Sequence, residues 1–388
     1  MNRIILLRVA VRLGPVLSLA TVAPDLHPQD HESWSLAPEA SVRLGGEEAP
    51  LYGVEGAVVM SDGRFVVSNR DGLLVFSREG RFLRTVGQAG DGPGEFRLIT
   101  SLSRGPNDSI FAFDHWSQRV SVYDSALALV RTARVEKAGN PLILVSRLSD
   151  GAWVGREMDD FVDGPPYTLV RDTIAIGILD GSLGSFRAVG AFPGRMTTTS
   201  LVAGRRAFRA APFSPEVAHT SWRRCVFIST SESNLVEVYT IEGRRLRSFR
   251  APGRLRPISD EHLQRRLTFD LQAATEAEAP VVRRLLENEA RPEHLPFYHR
   301  AISDQWGRVW LQEYEPPWGL SRRWYVVSQS GMTLADVEMP EAMRVFSIDQ
   351  RGILGRALGP FDEELVEFWP WLGRPPPAPE PLSECIDQ

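Results

Sequence analysis

The sequence predicts an all-β chain, a six-bladed β-propeller of four-stranded antiparallel blades, and three observations lead to it. The first is a repeat whose opening turns fall at Gly63, Asp108, Gly151, Arg223, Gly307 and Gly352, with steps of 45, 43, 72, 84 and 45 residues. The short steps match the roughly 40 to 50 residues of one propeller blade. The second is the internal order of each copy: a turn, a run such as Phe65-Val66-Val67, an apolar run ending in an aromatic such as Leu74-Val75-Phe76, a Gly turn and an Arg-flanked strand. The third is composition, 43% hydrophobic and 24% charged over 388 residues, which suffices for a full core. Repeats closed in a ring bury one core together, so a chain of this length needs only one domain.

Blade one is expected over 55–60, 64–69, 72–77 and 81–87. Its turns Ser61-Asp62-Gly63 and Arg78-Glu79-Gly80 place Gly where tight hairpins need positive φ. Blade two follows over 98–103, 109–114, 119–124 and 128–135, with Ala126-Leu127 in place of the Gly turn. Blade three spans 142–190 and carries a Pro165-Pro166 loop. Blade four is placed at 216–221, 225–230, 235–240 and 244–250, and blade five at 299–304, 309–314, 324–328 and 332–339. Blade six has 343–349, 353–358 and 365–369 but no fourth strand of its own. That strand is sought in 34–44, where pairing with 365–369 would close the ring and remove two free sheet edges.

The propeller thus occupies 31–372, after a leader over 1–30 and before a Pro-rich tail over 373–388 expected to be extended and exposed. Two interruptions explain the long steps. Residues 192–215, with Thr197-Thr198-Thr199 and Arg205-Arg206, are expected as a loop or hairpin entering blade four. Residues 257–291 read as a helical insertion, with Ser259 as N-cap, Asp260 and Glu261 in the first turn, and Ile258 and Leu263 at staple positions. A second helical piece starts at Pro280, gathers Val281, Val282, Leu285 and Leu286 on one side, and stops at Pro292. Insertions in repeat proteins cluster on one face, often the binding face.

The leader runs Met1-Asn2-Arg3, Ile4-Ile5-Leu6-Leu7 and Val16-Leu17-Ser18-Leu19-Ala20, the order of a secretory signal, although Arg8 and Arg12 interrupt its apolar part. Export to the periplasm or the exterior is the expectation; a cytoplasmic chain with a disordered leader is the alternative. No uncharged run approaches the roughly 18 residues of a membrane span, so no transmembrane span is expected. Cys225 and Cys385 stand too far apart for a zinc pattern, and a disulfide between them stays open. The formal charge is -5, and Lys137 is the one lysine. A phosphate loop needs Gly-Lys-Ser/Thr, whereas Lys137 precedes Ala138-Gly139. A negative chain without a basic, aromatic-interleaved stripe is not expected to bind nucleic acid.

The run Gly90-Asp91-Gly92-Pro93-Gly94-Glu95-Phe96, with Asp114 to Arg119 and Val122-Tyr123-Asp124, resembles the NHL-repeat group of propellers. Over 34–370, including Leu295-Pro296-Phe297 ahead of Trp306-Gly307-Arg308-Val309-Trp310, the chain is similar to bacterial exported six-bladed propeller proteins of unassigned activity. The resemblance implies the fold; that architecture carries enzymes, ligand binders and scaffolds alike. Departures are the missing Gly of the second blade's outer hairpin, the missing aromatic in the third blade and the absent lipid-anchor Cys.

Gly87, Gly90, Gly92 and Gly94 mimic a dinucleotide fingerprint, but Pro93 and the strand that follows point to an interblade loop. Asp114 and Arg119 flank a turn and are expected to pair across two strands. The ligand-binding candidates lie on or near inner strands: Glu55, Arg97, Arg147, His219, His299, Arg300 and Arg344. If several converge, the channel mouth suits a carboxylate, phosphate or acidic sugar. Otherwise they are satisfied hydrogen-bonding residues at blade interfaces. No catalytic residue, cofactor or metal site is assigned; His219, His299 and Glu55 are the one set that could supply metal ligands from separate blades. The expectation is a monomeric, non-enzymatic scaffold for a small molecule or protein, with a metal-dependent hydrolase or lyase at the channel as the alternative. A third reading uses Trp116, Trp318 and Trp324 as an interaction rim.

Overall fold

The computed structural model describes residues 34–386 except 71, 137–139, 161, 203–204, 277, 289, 317–320, 341 and 374–379. The leader, Lys137, Trp318 and the prolines 375–377 and 379 lie outside the described residues. Six antiparallel sheets follow one another along the chain, five of four strands and one of five. Their inner strands are Ala57–Val59, Ile99–Arg104, Leu142–Arg147, Ala218–Trp222, Tyr298–Ser303 and Arg344–Ile348. Each inner strand touches the next, and the last touches the first, so the sheets form a closed ring.

The core sits between blades. Each of six apolar clusters joins the facing surfaces of two neighbours, for example Val226, Ile228, Val154 and Ile176 between blades four and three. Alternation along each strand makes this possible, since successive side chains pack against opposite neighbours. Blade two dispenses with the hairpin glycine because Leu127 takes positive φ (60°) with its side chain buried. The Asp124 carboxylate accepts the Ala126 and Ala128 amides and holds that turn.

Val42–Leu44 pairs with Glu364–Pro370 in the register Val42 to Phe368, Arg43 to Glu367 and Leu44 to Val366. The chain's beginning therefore supplies the outer strand of blade six. Trp34 adds to the seal: its ring lies 5.4 Å from Trp310 and 6.3 Å from Trp371, with the Arg308 guanidinium 4.2 Å from its centroid. Arg308 is itself held by a buried ion pair to Asp304 at 2.5 Å, and Asp304 also accepts Trp310 Nε1.

The other terminus is fastened as well. Cys225, on the second strand of blade four, and Cys385 form a disulfide. Cys385 is fully buried, Leu382 N donates to Gln329 Oε1, and Arg224 N donates to Cys385 O. The end of the tail is thus fastened at Cys385 against blades four and five, with Glu380, Ser383 and Glu384 exposed beside it.

The segment 192–215 belongs to blade three, not to the approach to blade four. The third and fourth strands of that blade, Leu169–Leu179 and Phe186–Val202, are extended, and Arg205–Ala210 adds a fifth strand to the projecting end. The helices are Asp260–Gln272 and Ala279–Asn288. Ser259 caps the first, and His262 completes the capping box where Glu is usual.

Candidate functional site

Antiparallel alternation places the start of every inner strand and the end of every second strand on one face of the ring. The interblade connections lie on that face, including the helical insertion, and the projecting hairpin of blade three rises from it. This face carries most of the expected residues at its centre. Glu55 precedes the inner strand of blade one, Arg344 opens that of blade six, and His299 and Arg300 lie at the start of that of blade five.

His299 owes its position to a bulge: the register runs from Tyr298 opposite Glu313 to Arg300 opposite Gln312, leaving His299 as the extra residue. Bulges of this kind re-aim side chains. His299 is exposed and meets the Tyr314 ring at 6.3 Å. Desolvation lowers its pKa first, and Arg300 and Arg344 lower it further, against the pull of Glu216.

Carboxylates answer most of the cations around it. Arg344 is ion-paired to Glu55, and Arg356 Nη1 lies 2.7 Å from Glu364. Across the mouth Arg156 pairs with Asp159 and Arg195 with Glu216. Arg300 differs. It donates to the Val345 carbonyl at 3.3 Å and has no carboxylate partner among the described residues. Burial and the neighbouring Arg344 push its pKa down to about 9. Arg344 Nε is buried without a hydrogen-bond partner. Among the described residues the mouth therefore holds a guanidinium without an ion pair beside an imidazole, an arrangement that an incoming anion would complete.

His219 lies deeper on the inner strand of blade four and is 7% exposed. Nδ1 faces the Val217 carbonyl at 3.4 Å, while Nε2 is buried without a partner. Burial, reinforced by Arg156, lowers its pKa to about 4, so the ring is neutral at pH 7. Among the described residues no three His, Cys, Asp or Glu are grouped to hold a metal ion, so His219, His299 and Glu55 form no such set.

Two expected residues lie elsewhere. Arg97 is on the rim, ion-paired to Asp91 at 2.5 Å. Arg147 ends its inner strand and so reaches the opposite face. Asp114 and Arg119 stand opposite each other in the register of neighbouring strands, as expected, but form no ion pair among the described residues. Asp114 accepts the amides of Arg97, Leu98 and Ser117, while Arg119 donates to the carbonyls of Asp91 and Glu95. Together they clamp the glycine loop, whose Gln88–Ala89 and Glu95–Phe96 form a short parallel pair and no helix. Of the aromatic rim, Trp116 is 65% exposed but Trp324 is 1% exposed and part of the core.

Arg356, Glu364, Glu216 and Tyr314 join the mouth without having been expected. Arg356 sits on the second strand of blade six and Glu364 opens its third, while Glu216 and Tyr314 lie in loops just outside the ends of their strands.

A family model described as a 6-bladed beta-propeller matches residues 45–160, which cover blades one and two and the start of blade three. The chain is a six-bladed β-propeller. Among solved structures, this propeller superposes on a member of the DUF4221 family from Bacteroides vulgatus with a TM-score of 0.52 and 10% identity, covering 87% of this chain and 98% of the other. A putative exported protein from Bacteroides fragilis gives 0.46 and 11%, covering 89% and 97%. A streptogramin B lyase gives 0.42 and 10%, covering 86% and 97%. At such identities the likeness is one of fold. No curated protein matches the propeller's sequence.

Proposed function

We propose that this is an exported, ligand-binding propeller whose mouth, on the face bearing the insertions, takes a small anion such as an acidic sugar. The observation that carries the reading is Arg300: a half-buried guanidinium flanked by Arg344 and His299, with no ion pair among the described residues. A ligand carboxylate there would gain a charge-assisted pairing and relieve the repulsion between the two arginines. The Cys225–Cys385 disulfide supports export, since such bonds persist in oxidising compartments.

Titration of the purified protein with galacturonate tests the site. Arg300→Gln is expected to weaken binding about tenfold or more, the loss of roughly one charge-assisted hydrogen bond. Arg97→Gln, already answered by Asp91 on the rim, should leave it unchanged. Equal affinity of wild type and Arg300→Gln would reject the mouth as the anion site.

His219 favours a second reading, a lyase or hydrolase. A buried neutral imidazole with an unpartnered Nε2 can bond a substrate hydroxyl or amide and orient it, although burial makes it a weak base. That reading requires a substrate whose turnover His219→Asn abolishes while ligand binding at Arg300 survives.

A further inference from the structure

The first hairpins of the blades, on the face opposite the mouth, supply an internal comparison. In blades one, two, five and six an arginine is ion-paired to an aspartate of its own hairpin: Arg64 to Asp62, Arg104 to Asp108, Arg308 to Asp304 and Arg351 to Asp349, all at 2.5 to 2.7 Å. Blade three holds the same two residue types, Arg147 and Asp150, and does not join them. Its turn Ser149-Asp150-Gly151 repeats the Ser61-Asp62-Gly63 turn of blade one, but Ala152 stands where Arg64 follows. Asp150 accepts the Ala152 amide at 3.0 Å and has no ion pair among the described residues.

Arg147 ends its inner strand as Arg104 does, yet it reaches across the blade boundary, where its guanidinium lies 4.1 Å from the centroid of the Phe111 ring. Its Nε is buried without a partner, and no described residue accepts a hydrogen bond from either terminal nitrogen. Arg131, exposed on the outer strand of blade two, has no hydrogen bond or ion pair among the described residues either. Burial lowers the Arg147 pKa first; Asp150 opposes this, and Arg131 adds to it.

Both arginines line a crevice of about 190 Å³ between blades two and three. Its apolar neighbours contribute little open surface, because Val120, Trp153 and Leu183 are nearly fully buried and Arg147 covers the Phe111 ring. The open wall is mainly polar. Two glycines keep the guanidinium uncovered: a Cβ at Gly151 would lie 3.0 Å from Arg147 Nη2, and one at Gly181 would meet the backbone of Gly151.

We propose that this crevice is a second anion site, one that takes a tetrahedral oxyanion, either inorganic phosphate or the phosphate group of a larger molecule. An arginine whose terminal nitrogens are both unbonded can donate to two oxygens of one phosphate, and the second arginine answers the remaining charge. Such a ligand needs no apolar wall. Asp150 opposes it, so removing that charge should help.

Calorimetric titration of full-length Arg300→Gln protein, which lacks the mouth guanidinium, with phosphate and separately with glycerol phosphate tests the crevice alone. Saturable binding of at least one is expected, and the tighter of the two names the source of the group. Benzoate, a carboxylate on an apolar body, should bind about tenfold or more weaker. Arg147→Gln in this background should weaken phosphate about tenfold or more. Arg131→Gln, an exposed change that leaves the packing on Phe111 intact, should weaken it about threefold. Asp150→Asn should tighten it about twofold, since Asn keeps the turn bond to Ala152 without the charge. A purely structural Arg147 would not produce that gain. The proposal is overturned if neither phosphate ligand saturates, if benzoate binds as tightly, or if both arginine variants bind like their parent. Saturation in the wild type that Arg300→Gln alone removes would assign the phosphate to the mouth and reject the crevice, so the two sites fail separately.

Discussion

At the scale of single residues, burial decides which charges can exist. The unfolded His219 imidazole takes a proton near pH 6.5, whereas in the folded protein it resists until about pH 4. Between those values the unfolded chain binds more protons, so stability falls as pH drops through that window. The contribution is up to about 3 kcal/mol, and His219→Gln should flatten the dependence, measured as urea midpoints between pH 4 and 7. An unchanged slope would mean that carboxylates alone set the acid limit. Asp114 has a different task, accepting the amides of Arg97 and Leu98, just past the glycine loop, and of Ser117 in its own turn. Asp114→Ala strands these donors and should cost about 2 to 3 kcal/mol in denaturant unfolding.

At the scale of elements, the closing strand matters more than its three residues suggest, because its absence would reopen blade six. Deleting 34–44 should lower the unfolding midpoint sharply or abolish folding. Trp34→Ala leaves the strand in place but empties the contact with Trp310, Trp371 and Arg308. Its cost should be about 2 to 3 kcal/mol, since the ring is only partly buried. The same unfolding midpoint in both variants and wild type would contradict this closure. The strand's existence was readable from a missing repeat element. The hairpin's membership of blade three was not, because Thr197-Thr198-Thr199 continues a strand whose partners lie on either side of it.

At the scale of the whole molecule, two fastenings tie distant parts of the chain: the first strand onto blade six and Cys385 onto blade four. Cys385→Ser should lower stability by about 2 to 4 kcal/mol, read as a midpoint shift that reductant reproduces in the wild type. If reductant and substitution leave the midpoint unmoved, the tail contributes no latch. Tyr52, Trp116, Leu358 and Phe361 are exposed in the loops and strand ends around the mouth, with Phe361 at 91%. The structure brings Glu55, His299, Arg300 and Arg344 together at the mouth. Arg147, at the end of its inner strand, reaches the opposite face, whereas Arg97, just before its own, stays on the mouth side but is turned to Asp91 at the rim.

The sequence by itself determined the number of blades, the hairpins and the helix start at Ser259, because turn glycines, apolar alternation and caps act over a few neighbouring residues. Only the tertiary structure decided which charges meet and which stay unanswered, that Cys225 and Cys385 pair across 160 residues, and that Arg104 is satisfied where Arg147 is not. Those outcomes depend on register, on bulges such as the one at His299, and on which blade faces stand opposite each other once the ring has closed.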